Sequence, residues 1–141
     1  MKQYRKELFG LFVQTVVCGM RNALMPLMKD AEPELSDEKK RKAFCRKVGR
    51  AMVRQGWTAN PMVQTALEYA SVPDAEMKQG EESDWELDFK MNVYACLCER
   101  RAWKMSDWID TGRLSDLLEA DAFGEAARQF RKNVLEGQDF C

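Results

Sequence analysis

Residues 36–56 read SDEKKRKAFCRKVGRAMVRQG, and this stretch decides the fold. Ser36 and Asp37 are good N-caps, and Glu38 places acid in the first turn, where the helix dipole favours it. At roughly 100° per residue, Phe44, Val48, Ala51 and Met52 line one stripe with Cys45 at its edge. Lys39, Lys42, Arg46, Arg50 and Arg54 fall on the opposite face, flanked by Lys40 and Lys47. The pattern predicts an amphipathic helix to about residue 55, stopped by Gly56 as a C-terminal glycine. A helix with one apolar stripe needs neighbours to cover it.

The flanking sequence supplies those neighbours as further helices. Over 2–28, Phe9, Phe12, Val13, Val16, Val17, Met20, Ala23, Leu24 and Leu27 share a face, with Gln14, Arg21 and Asn22 opposite. Pro26 is expected to kink or end this helix, because proline lacks the amide donor. Residues 29–35 are a polar connection containing Pro33. Asn60-Pro61 opens a third helix as N-cap and first-turn proline, and it ends before Pro73. Residues 73–84 are polar, contain Gly80, and read as a loop or a short weak helix.

A fourth helix is expected over 83–103. It is apolar on two sides, with Leu87, Met91, Tyr94 and Cys98 on one and Trp85, Phe89, Val93 and Leu97 on the other, which predicts a central, buried position. Ser106 or Asp107 is expected to cap a short further helix, and Thr111-Gly112 to break the pattern before Leu114, Leu117 and Leu118. The last helix is expected over 122–136, ended by Gly137. Nothing alternates as a strand does, and no internal repeat is visible. The fold class is therefore all-α, a compact bundle of five to seven helices in a single domain spanning residues 1–141.

Composition narrows the function classes. The 141 residues include 14 aromatics and are 45% hydrophobic, enough for a packed core and unlike a disordered chain. The apolar run over 8–28 is interrupted by Gln14, Thr15, Arg21 and Asn22, so it reads as a core helix and not a membrane span. No secretory leader is read at the N-terminus, and five irregularly spaced cysteines suit a reducing compartment, so the expectation is a cytoplasmic protein without a membrane partner. The chain has no histidine, which removes the commonest general base, the commonest zinc ligand and every Cys-His or Ser-His nucleophile. There is no glycine-rich phosphate loop and no nucleophile elbow. We expect no catalytic residues, no cofactor and no metal.

Charge is the strongest remaining signal. Residues 1–54 hold 13 Lys and Arg against 6 Asp and Glu, while residues 55–141 hold 9 against 17. The total of −1 hides a split of +7 and −8. Lys39, Lys42, Arg46, Lys47, Arg50 and Arg54 are the candidate residues for binding an anion or nucleic acid. From Lys42 to Arg54 the ridge spans about 18 Å at 1.5 Å per residue. It could follow a phosphate backbone, without a helix-turn-helix, zinc-finger or RNA-recognition signature to read bases. The plain alternative is a solvated face, or one paired internally with the acidic stretch.

That stretch, Asp74, Glu76, Glu81, Glu82, Asp84, Glu86 and Asp88, contains one cation, Lys78. It is the candidate acidic partner-binding segment, able to imitate a phosphate backbone. Asp84 and Asp88 share a helix face and could hold a hard cation through waters, but acid at the positive end of a helix dipole accounts for them without one. Cys96 and Cys98, two apart on a helix, point about 200° from each other and cannot share a tetrahedral metal. Trp103, Lys104 and Trp108 lie near Arg100 and Arg101, a set suited to stacking, although tryptophans capping the core ends is the simpler account.

The reading that follows is a non-enzymatic helical interaction protein. It would act as a small subunit, adaptor or inhibitor of a larger macromolecular assembly, a role that suits a defence-system or mobile-element regulator. Its partner is expected to be another protein or protein complex, and opposed charges allow a homo-oligomer. The alternative is a small helical subunit of a nucleoprotein complex, contacting RNA or DNA backbone through the basic helix.

Overall fold

The computed structural model describes residues 3–29, 37–71 and 84–137. Five α-helices make up the described fold: α1 (Gln3–Met28), α2 (Glu38–Val53), α3 (Pro61–Ser71), α4 (Asp84–Thr111) and α5 (Leu114–Phe130). α2 and α5 each run on into one π-helical segment, Arg54–Thr58 and Arg131–Leu135. No strand occurs among the described residues, and the chain is a small all-α bundle.

α1 contributes the core face its periodicity predicts. Phe12, Val13, Val16, Val17, Met20, Ala23 and Leu24 are buried, and Phe9 and Leu27 are partly so. Pro26 lies inside the last turn of α1 without ending it. By length and composition Glu7–Met28 is apolar enough to cross a bilayer. In this fold its apolar side is the core, and Arg21 on the polar side donates to Glu119 of α5 at 3.3 Å.

α2 begins as its sequence directs, with the Asp37 carboxylate accepting from the amides of Lys39 and Lys40. Its buried residues are Cys45, Val48, Gly49, Met52 and Val53. Cys45, expected at the stripe's edge, is fully inside, and its thiol donates to the Leu118 carbonyl. Gly49 permits the close crossing with α5, since a Cβ there would lie 2.9 Å from the Glu125 carbonyl carbon.

Gly56 does not stop the helix. The chain widens into a π turn, with the Ala59 amide bonding to the Arg54 carbonyl five residues back. Gly56 is buried against the α1 backbone, where a Cβ would lie 2.9 Å from Met20 Cα. The same turn sends Trp57 into the core, with ring centroids 5.6 Å from Phe89 and 5.0 Å from Phe130. Asn60 then caps α3 by accepting the Met62 amide at 3.0 Å, as expected.

α4 departs from the sequence reading twice. It is not buried on both sides: Phe89, Val93 and Leu97 are in the core, while Leu87 and Met91 are exposed. It also runs through Ser106 and Asp107, which begin no new helix. Ser106 faces solvent, and the Asp107 carboxylate pairs with Lys104 at 3.5 Å, so neither competes for the backbone amides. The break falls at Gly112, in the left-handed region at φ 68°, and α5 folds back against α4. The last helix, expected from 122, already begins at Leu114, because Leu118, Ala120, Ala122 and Phe123 keep the buried stripe continuous. Gly137 ends it at φ 71°, as expected.

Candidate functional site

The α2 face predicted to be cationic is outside. Lys39, Lys42, Arg46, Lys47 and Arg54 are exposed, whereas Arg50 is half-buried with its Nε enclosed and without a hydrogen-bond partner among the described residues. Lys42 pairs with Glu38 one turn earlier at 3.1 Å, a solvent-exposed contact worth little energetically. Among the described residues, Lys39, Arg46 and Lys47 have no carboxylate partner. Arg41, on the inward edge of α2, pairs across to α5, its Nε 3.4 Å from Asp121.

The acidic segment lies mostly outside the described residues: Asp74, Glu76, Glu81 and Glu82 all do. Asp84 is the first residue of α4, Glu86 pairs with Lys90 at 3.0 Å, and Asp88 is exposed. Nothing described therefore brings this segment against α2.

What the sequence did not nominate is a cleft of about 450 Å³ bounded by α2, α4 and α5. It opens beside the cationic face of α2, which contributes Lys42 and Arg46. Arg101 comes from α4, Arg128 from α5 and Arg131 from the π segment that follows. Two carboxylates, Asp121 and Glu125, stand against these five cations, leaving three positive charges in excess. Both carboxylates are already engaged, Asp121 by Arg41 and Glu125 by Arg128 at 2.9 Å. Arg131 is tied to Glu136 at 3.3 Å. Arg46 and Arg101 are the two guanidinium groups of the cleft with no carboxylate partner among the described residues.

Tyr94, Cys45, Cys98, Gly124 and Ala127 complete the lining. Burial pushes the Cys45 thiol up to about 12, reinforced by the nearby Asp121 and opposed by Arg41. That thiol stays protonated near neutrality and is no nucleophile. Cys96 is also pushed up by burial, with Glu99 adding to the effect. Among the described residues no group of three His, Cys, Asp or Glu side chains is placed to hold a metal ion.

The tryptophans divide. Trp57 is core, while Trp103 is 64% exposed with the Arg100 guanidinium 5.6 Å from its ring centroid. Arg100 and Trp103 border a smaller cavity of about 290 Å³ between α1 and α4, with Gln14, Cys96 and Glu99. Arg101, next in sequence, turns the other way, into the cationic cleft. Arg128 and Arg131 carried a weak signal in the sequence: they sit three apart, one turn after Gly124, on a helix whose other face is alanine-rich.

Comparison of the chain with protein-family models, with curated proteins and with solved structures finds no match.

Proposed function

We propose that this chain is a non-enzymatic helical binding protein whose working surface is the cationic face of α2 and the cleft beside it, and whose partner is nucleic-acid backbone within a larger assembly. The observation that carries the reading is the missing internal counter-charge: Lys39, Arg46 and Lys47 stand exposed without a described carboxylate partner. Around them the carboxylates of α5 are committed to other cations, Asp121 to Arg41 and Glu119 to Arg21 and Lys104. A rigid helix whose cations lack a described carboxylate partner along one side offers a polyanion contacts that release counterions without breaking a described ion pair. The absence of histidine from the sequence, and a raised thiol in the cleft, support binding over catalysis.

Fluorescence anisotropy of labelled single-stranded RNA tests this, against wild type and a variant carrying Lys39→Glu, Arg46→Glu and Lys47→Glu. Binding that weakens steeply with salt and is lost in the folded variant is the expected result. Absence of binding at low salt would sink the reading.

A further inference from the structure

We propose that the cleft between α2, α4 and α5 is a site for one phosphomonoester group, the 5′-phosphate of a nucleic-acid end, held between Arg46 and Arg101. The inference rests on the reading of this face as nucleic-acid-binding and narrows it to a terminal phosphate.

Three features lead to it. The cleft is concave and within the usual size of ligand pockets, larger than a phosphate alone requires, and the half-buried Tyr94 on its wall can face the terminal nucleotide. Its carboxylates are spent on cations already present, so an incoming anion meets two guanidinium groups, from different helices, that have no carboxylate partner among the described residues. Arg101 is exposed, with its side chain resting on the neighbouring helix. It lies across α5 at Gly124, where a Cβ would come 3.0 Å from its Cδ and 3.1 Å from its Nε. A side chain laid on a helix backbone in this way loses less freedom when it binds.

The chemistry selects the ligand. Two guanidinium forks present four donors and two positive charges, and one carboxylate meets them with a single negative charge. A terminal phosphate supplies three acceptor oxygens and nearly two negative charges, matching both forks and the surplus charge. A backbone phosphodiester carries one charge and is satisfied at the open face of α2.

The test compares single-stranded RNA of one sequence carrying either a 5′-phosphate or a 5′-hydroxyl. Wild type is expected to prefer the phosphorylated end by about tenfold, the effect of one or two charge-assisted hydrogen bonds. Arg101→Gln should erase the preference and leave residual binding of the hydroxyl RNA. Gly124→Ala displaces the Arg101 side chain by a few tenths of an ångström and should weaken the preference without removing a charge, and alanine suits a helix better than glycine, so the fold is kept. Lys39→Glu with Lys47→Glu should weaken both RNAs and keep the preference. Equal affinity for the two ends in wild type, or a preference that survives both cleft variants, overturns the proposal. So does tighter binding of a phosphoserine peptide than of the phosphorylated RNA. If wild type binds neither RNA, the backbone reading fails on its own. The cleft is then judged by titration with inorganic phosphate, in which NMR shifts confined to Arg46, Arg101 and Gly124 support an anion site and unshifted resonances exclude one.

Discussion

Gly56 packs directly on the backbone of Met20, where a Cβ would fall 2.9 Å from both the Met20 Cα and its amide nitrogen. Both residues are buried, and the contact sets the distance between α1 and the turn that carries Trp57 inward. Gly56→Ala must therefore push α1 aside, because backbone atoms cannot rotate away as a side-chain end can. We expect a loss of about 1–3 kcal/mol, the usual cost of overpacking a closed core, in spite of alanine's better helix propensity. Urea unfolding reads the effect, and a variant as stable as wild type would contradict the packing described.

Glu119 ties three helices together. Only 5% exposed, it takes Arg21 of α1 at 3.3 Å and Lys104 of α4 at 3.4 Å. Glu119→Gln keeps the shape and removes the charge that both cations face. Because Arg21 and Lys104 retain access to water, the cost is expected at about 1–2 kcal/mol, below that of breaking a fully buried pair. Arg21→Gln should cost less than Glu119→Gln, since Lys104 remains on the carboxylate. The reverse order in thermal denaturation would show that the triad is not centred on Glu119.

The fold was legible where periodicity and packing agree. The core faces of α1 and α2 follow from their spacing, and Asp37, Asn60 and Gly112 act as their residue types predict. Legibility failed where a residue's local meaning was overruled, by a tertiary contact at Gly56 and by continuation of the helix at Ser106 and Asp107. Gly56 looks like a helix end and serves a close approach, and Ser106 and Asp107 look like caps and sit in mid-helix. The α2 half of the candidate site was visible because its cations repeat on one helix. The cleft was not, since Arg46, Arg101 and Arg128 meet only once three helices are packed, and neighbours as close in sequence as Arg100 and Arg101 face different cavities.

Cys45 makes stability sensitive to alkali. Burial holds its thiol at about 12 in the fold, against an ordinary 9.0 in an unfolded chain. A raised folded pKa favours the protonated native form, so this contribution is complete below about pH 9 and is lost as pH climbs from there toward 12. Urea midpoints should fall across that window, and fall less in Cys45→Ala than in wild type. The variant's own packing loss appears equally at neutral pH, so the difference in slope isolates the thiol. Parallel slopes would remove Cys45 from the account.

Exposure separates the cysteines kinetically. Cys18 faces solvent on α1, while Cys45 lies against Leu118 with 1% exposure. Iodoacetamide near neutral pH should modify Cys18 early and Cys45 only on the timescale of unfolding. Peptide mass spectrometry over a time course reads both, and early labelling of Cys45 would mean that the α2–α5 contact opens in the native state.

The α2 face makes a quantitative prediction about salt. If Lys39, Arg46 and Lys47 each neutralise one phosphate of single-stranded RNA, together they contribute about −2 to the slope of log K against log[salt]. Replacing all three by glutamine should make the slope shallower by that amount, while Lys132→Gln, on the π segment beyond α5, should leave it unchanged. Glutamine is the informative substitution here, because it removes counterion release without adding repulsion. A triple variant that binds more weakly with an unaltered slope would mean that these residues hold the fold or a neutral contact, and the phosphate backbone would no longer explain their lack of a carboxylate partner among the described residues.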